Sequence, residues 1–185
     1  MLIDQFSMTN ISDLTYKVVA ADEVPNFNAD EFVDWAIEMV FLGHDTPSLL
    51  ILAGLPQPTN YFEASSYLKK ALTELDITIK TGDEAVLSYC SYFIKKIALS
   101  DNIRRNLETV YRFCQMKDYE ESIYDFYLIY WAWDDFDYGN EYSPYWEDAN
   151  KSTIEKTVVD RAIKWIDDNK QHYAQQGFGA SRADE

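Results

Sequence analysis

Cysteine is scarce in this sequence: Cys90 and Cys114 are its only two thiols. Each falls among apolar residues at helical spacing, as free buried cysteines do, and two thiols so placed make no disulfide framework. Histidine is equally rare, with His44 in a turn and His172 near the carboxyl end. Neither stands in His-Glu-x-x-His or beside a set of Cys ligands, so nothing here predicts zinc chemistry. The six glycines form no Gly-x-x-x-x-Gly-Lys-Ser/Thr, no Gly-x-Gly-x-x-Gly and no Gly-x-Ser-x-Gly, which removes phosphate loops, dinucleotide loops and nucleophile elbows from consideration. The longest apolar stretch, residues 48–55, is far short of the about 20 residues that span a bilayer. The start, Met1-Leu2-Ile3-Asp4-Gln5-Phe6, has no basic segment and meets an acid at position 4, which argues against a secretory signal. A reducing cytoplasm is the expected address.

Positive charge is also short: 16 Lys plus Arg face 32 Asp plus Glu, a formal net charge of −16. Such a surface repels phosphate backbones and anionic headgroups, so neither nucleic acid nor membrane is an expected partner, and basic proteins are the natural complement. The 47% apolar and 16% aromatic content is too high for a disordered acidic tail. Length predicts one helical domain over residues 1–173, followed by a flexible tail at 174–185, where two glycines and few apolar residues break any period. The charge is uneven: residues 1–60 hold 9 acids and 1 base, 61–117 hold 7 and 9, 118–150 hold 10 and 0, and 151–185 hold 6 and 6.

Helical periodicity dominates and predicts an all-α fold, an irregular multi-helix bundle or a short solenoid-like helical stack. Asn28 can cap a helix whose Phe32, Val33, Ala36, Ile37 and Val40 share a face, ending at Gly43. Thr46-Pro47 supplies a capping hydroxyl and a first-turn proline for a short helix reaching Gly54. Asn60 with Glu63 resembles a capping box before Phe62, Ser65, Leu68, Leu72 and Leu75. Two further stripes follow, Leu87, Cys90, Ile94, Ile97 and Ile103, Leu107, Val110, Cys114. Ser152 with Glu155 then opens a helix carrying Ile154, Val158, Ala162 and Ile166. The short alternating stretches 14–18 and 77–79 are expected to be connections rather than strands.

Residues 118–150 stand apart, with twelve aromatics and ten acids and no Lys or Arg. A helix over Glu120–Trp133 would place Ile123, Tyr127, Tyr130 and Trp131 on one face and Phe126, Ile129 and Trp133 on another. The sequence that follows is broken by Gly139 and Pro144 and is expected to form a loop. Trp133, Phe136, Tyr138, Tyr142, Tyr145 and Trp146 would then anchor a partner, with Asp134, Asp135, Asp137, Glu141, Glu147 and Asp148 as an acidic rim, since Trp and Tyr bury large area at little rotamer cost. Asp134-Asp135-Phe136-Asp137 fails the EF-hand spacing, because Gly139 and Asn140 fall where an acid and then a glycine belong, so no metal or other cofactor is expected. Carboxylate pairs are too abundant for any one of them to indicate catalysis. The basic residues Lys95, Lys96, Arg104, Arg105 and Arg112 are expected to balance the acidic segments within the molecule, with phosphate binding as the alternative.

Asp34-Trp35-Ala36, the run Leu42-Gly43-His44-Asp45-Thr46-Pro47-Ser48-Leu49-Leu50-Ile51-Leu52-Ala53-Gly54-Leu55, Phe62-Glu63 and Ala71-Leu72-Thr73-Glu74-Leu75 together resemble small uncharacterised bacterial accessory proteins of the toxin-immunity type. The resemblance spans about 45 residues and assigns no functional residue. It implies a non-enzymatic protein, and the acidity independently suits one that blocks a basic toxin domain. The expected function is therefore an acidic protein-binding module of the bacterial immunity or inhibitor type, engaging a basic partner through the acidic aromatic segment. A hydrolase or transferase with an acidic cleft, and a helical adaptor with no charge-driven partner, are the alternatives.

Overall fold

A computed structural model describes residues 11–170; the segment Met1–Phe6, His172 and the expected tail at 174–185 lie outside them. Among the described residues the chain is all-α, as its periodicity predicts, with eight α-helices, two 3-10 turns and no strand. No helix among them is long and apolar enough to cross a membrane. By internal contacts the described chain divides into two compact units, residues 11–89 and 90–170.

The first unit contains α1 (Thr15–Val18), α2 (Asp30–Phe41), α3 (Pro47–Ala53), α4 (Tyr61–Glu74) and the start of α5 (Gly82–Ala98). Helix α2 packs on α1, α3 and α4, and α3 packs on α4. Asn28 Oδ1 accepts from Asp30 N at 3.1 Å, the expected cap, and Gly43 closes α2 in the left-handed region at φ +97°, where a glycine is least strained. The buried face of α2 is Phe32, Val33, Trp35, Ala36 and Met39, one side of a helix. Phe32, Val33 and Ala36 are buried as expected, Val40 is partly buried, and Ile37 is exposed. Trp35 and Met39 complete the face; Trp35 Nε1 donates to Thr15 Oγ1 at 2.9 Å, so a large ring is buried with its polar N–H satisfied.

Residues 14–18, with their strand-like alternation, form the single turn of α1. Thr15 is held by Trp35, and Lys17 pairs with Glu31 at the start of α2. Residues 77–79 are irregular, a connection as expected. Pro47 opens α3, but Thr46 makes no side-chain cap. The Glu74 carboxylate does that work instead, accepting from Ser48 N at 3.0 Å and Ser48 Oγ at 2.6 Å. These bonds hold the Glu74 carboxyl below its ordinary value of 4.5. Asn60 does cap α4, accepting from Glu63 N at 3.2 Å. The buried stripe there is Ala64, Leu68, Ala71 and Leu72, and Phe62, two residues or about 200° around the helix from Ala64, is 85% exposed.

The second unit holds the rest of α5, α6 (Ile103–Met116), α7 (Tyr124–Asp137) and α8 (Ile154–Asp168). Helices α6, α7 and α8 pack on one another pairwise. Cys90, Ile94 and Ile97 of α5 and Ile103, Leu107, Val110 and Cys114 of α6 are all buried, as expected; Leu87, in the first unit, is only partly so. Both cysteines are free, and burial pushes the Cys114 thiol up to about 11, with Glu120 adding to the rise. On α8 the expected stripe Ile154, Val158, Ala162 and Ile166 is buried and is joined by Trp165, whose Nε1 donates to Ser122 O at 2.7 Å. The expected capping box of Ser152 with Glu155 does not form: Thr153 is the residue before α8 and makes no side-chain cap, and the turn leading into the helix is tied by side chains instead. Asn150 Oδ1 accepts from Ser152 N at 2.9 Å, and Thr153 Oγ1 accepts from Asn150 N at 2.9 Å.

Candidate protein-binding face

The most aromatic part of the chain enters α7 through a 3-10 turn, Glu121–Ile123, whose start is fixed by the Glu120 carboxylate accepting from Ser122 N at 3.2 Å. Ile123, Phe126, Ile129, Ala132 and Phe136 recur at three- and four-residue steps and are all buried. This single core stripe corrects the expected split, in which Ile123 shared a face with Tyr127, Tyr130 and Trp131. The helix also runs a turn beyond Trp133. Phe136, expected on the loop as a partner anchor, is the last core residue of α7 and is 0% exposed, so it belongs to no accessible surface.

That extra turn carries Asp134 and Asp137 at a helix C-terminus, where the macrodipole disfavours anions. Arg104 of α6 compensates: its Nη2 lies 3.4 Å from Asp134 Oδ1 and 3.5 Å from Asp137 Oδ2. Its guanidinium carbon also lies 4.7 Å from the ring centre of Tyr130 and 5.1 Å from that of Trp133, within cation–π range. The expected balancing of acids by Arg104 within the molecule is thus present. Arg112 instead pairs with Glu108 in its own helix, and Lys96 with Asp101. Arg161 of α8 takes Asp125, with Nε 2.5 Å from Oδ2.

Away from the core, the tyrosines of α7 meet Tyr111 of α6. Tyr111 stacks on Tyr130 at 3.9 Å between centroids and on Tyr127 at 5.4 Å, and it meets Trp131 edge-on at 5.8 Å. Tyr127 continues the array to Tyr124, stacked at 5.4 Å, and to Tyr119, edge-on at 5.2 Å. Trp131 carries it to Tyr145 at 6.2 Å. Burial in the array, with the neighbouring phenols adding to it, raises the Tyr111 pKa above its ordinary value of 10.0, so its hydroxyl is neutral at physiological pH.

The loop after α7 is held from within. Gly139 turns the chain at φ +93°, and Asn140 N donates to Asp135 O at 3.1 Å. Asp135 Oδ2 accepts from Ser143 Oγ at 2.7 Å, and Ser143 is 0% exposed. The same hydroxyl oxygen accepts from Tyr145 N at 3.3 Å. A serine hydroxyl linking a carboxylate to a backbone amide gives the loop a definite course.

The twelve expected contact residues therefore divide. Phe136 is core; Trp133, Asp134 and Asp137 surround Arg104; Asp135 anchors the loop. Tyr138, at 83%, and Tyr142, at 59%, are the most exposed rings of the set. Tyr145, Glu141, Glu147 and Asp148 are exposed as well, and Trp146 is partly buried. The side chains of Glu141, Glu147 and Asp148 make no hydrogen bond or ion pair with other described residues. Sequence reasoning missed Tyr111, Tyr119 and Tyr124, and it missed the structural role of Ser143. Tyr124, Tyr127 and Trp131 stand at i, i+3, i+7, a helical stripe that could have been read as a second face of α7. Among the described residues no group of three or more His, Cys, Asp or Glu side chains is arranged to hold a metal ion. Comparison with known proteins finds no matching family model, no similar curated protein and no similar solved structure.

Proposed function

We propose that this chain is a cytoplasmic, non-enzymatic protein-binding module of the bacterial immunity or inhibitor type, which engages a basic protein through the aromatic face of α6 and α7 and the acidic loop that follows. One observation carries the reading: Tyr138 and Tyr142 are 83% and 59% exposed on a loop whose course is tied down by the bond from buried Ser143 to partly buried Asp135. Rings held out to solvent on an ordered loop offer contact area at little further entropic cost, the usual chemistry of a recognition surface. The net charge of −16 favours a basic protein and disfavours nucleic acid. Two free cysteines suit a reducing compartment.

The test is comparative capture from the native host with the wild-type chain and with Tyr138→Ala/Tyr142→Ala. A protein with a basic domain, encoded beside this gene and retained by the wild type alone, is the expected result. Identical capture by both chains would remove the loop from the interaction, and turnover of a small substrate by the purified protein would replace the reading with an enzymatic one.

A further inference from the structure

Resting on that reading, we propose that the segment bound is arginine-rich and is recognised by its planar guanidinium groups, not by positive charge alone. The molecule contains its own instance of this recognition. Arg104 lies over Tyr130 and Trp133, with its guanidinium carbon 4.7 Å and 5.1 Å from the ring centres, and it meets Asp134 and Asp137 at 3.4 Å and 3.5 Å. Aromatic faces paired with carboxylates are the setting in which a guanidinium exceeds an ammonium, because it stacks flat, donates in a fork and sheds water more readily.

The same two ingredients, exposed rings and carboxylates, are neighbours in sequence on the loop after α7. Tyr145 joins the array through Trp131 at 6.2 Å, and Tyr142 projects from the same loop. Glu141, Glu147 and Asp148 flank these rings without an ion-pair partner among the described residues. Residues 118–150 supply ten acids and no base, so the complement is cationic. A charge-only surface would use carboxylates and have no need of rings, whereas rings beside carboxylates that no described residue pairs match side chains that are both planar and positive.

The experiment titrates the full chain with nona-arginine and nona-lysine, peptides of equal charge, at 150 mM salt by tryptophan fluorescence. Nona-arginine should bind about tenfold more tightly or better. Tyr145→Leu should weaken nona-arginine several-fold and leave nona-lysine unchanged, while Tyr145→Phe should behave as wild type. Tyr142→Leu provides the same readout at a ring with no contact to Trp131. Equal affinity for the two peptides, or tyrosine-to-leucine variants that bind nona-arginine normally, would overturn guanidinium recognition and leave the basic-partner reading standing. Failure of both peptides to bind would overturn the two together.

Discussion

Glu74 closes α4 in sequence, yet its carboxylate organises the start of α3, accepting from both the amide and the hydroxyl of Ser48. Hydrogen bonds to the charged form lower its pKa below 4.5. A carboxyl whose folded-state pKa is depressed contributes stability that is present above the unfolded value and is lost as pH falls through the folded value. Glu74→Gln should therefore lower the thermal midpoint at pH 7 by a few degrees, and the difference from wild type should close as the pH is taken down past 4.5 and the native carboxyl protonates. Melting curves at neutral and acid pH check this; a gap of constant size would show that ionisation of Glu74 is irrelevant. Capping by a distant carboxylate leaves no local signal. Thr46-Pro47 reads as a self-sufficient helix start, whereas the acceptor lies 26 residues further on.

At the scale of the element, α7 shows how two residues apart can mean opposite fates. Phe136 fills the core stripe of the second unit, and Tyr138, just past the helix end, is almost fully in solvent. Phe136→Ala should cost about 3–5 kcal/mol, the loss of a buried ring together with the cavity it leaves, while Tyr138→Ala should stay within about 0.5 kcal/mol of wild type. Chemical denaturation of both variants measures the contrast, and a costly Tyr138→Ala would mean that the loop is packed where the structure has it exposed.

The same helix marks the boundary of what the sequence makes legible. Long stripes such as Ile154, Val158, Ala162 and Ile166 follow the helical period through residues that have no other good environment, and they are buried as expected. The last turn of α7 is different, since its acids oppose the helix dipole and local preference argues for ending at Trp133. Arg104, 30 residues away, reverses that preference by a tertiary contact that no local pattern contains. The aromatic face follows the same logic: its α7 half is spelled out in residues 118–150, and its central ring, Tyr111, comes from α6, outside that segment.

For the whole molecule, the charge of −16 is divided by use. Asp125, Asp134, Asp135 and Asp137 are committed to Arg161, Arg104 or Ser143, and neutralising them would disturb folding along with any interaction. Glu141, Glu147 and Asp148 have no such commitments among the described residues, so they are the acids through which binding can be separated from stability. Exposed charges steer encounter more than they hold a formed complex, and salt screens them over about 8–10 Å near physiological strength. Changing Glu141 and Glu147 to Gln and Asp148 to Asn should leave the melting temperature unchanged and slow association with the captured basic partner about 3- to 10-fold at 50 mM salt. At 300 mM salt the variant and wild-type association rates should converge, and dissociation should be similar in both. Replacing Asp134, Asp135 and Asp137 by Asn should instead lower the melting temperature, because Arg104 and Ser143 lose their partners. Stopped-flow association at the two salt concentrations, with melting curves alongside, decides the matter: triple variants that behave alike would erase the distinction between committed and available acids on which the proposed partner chemistry rests.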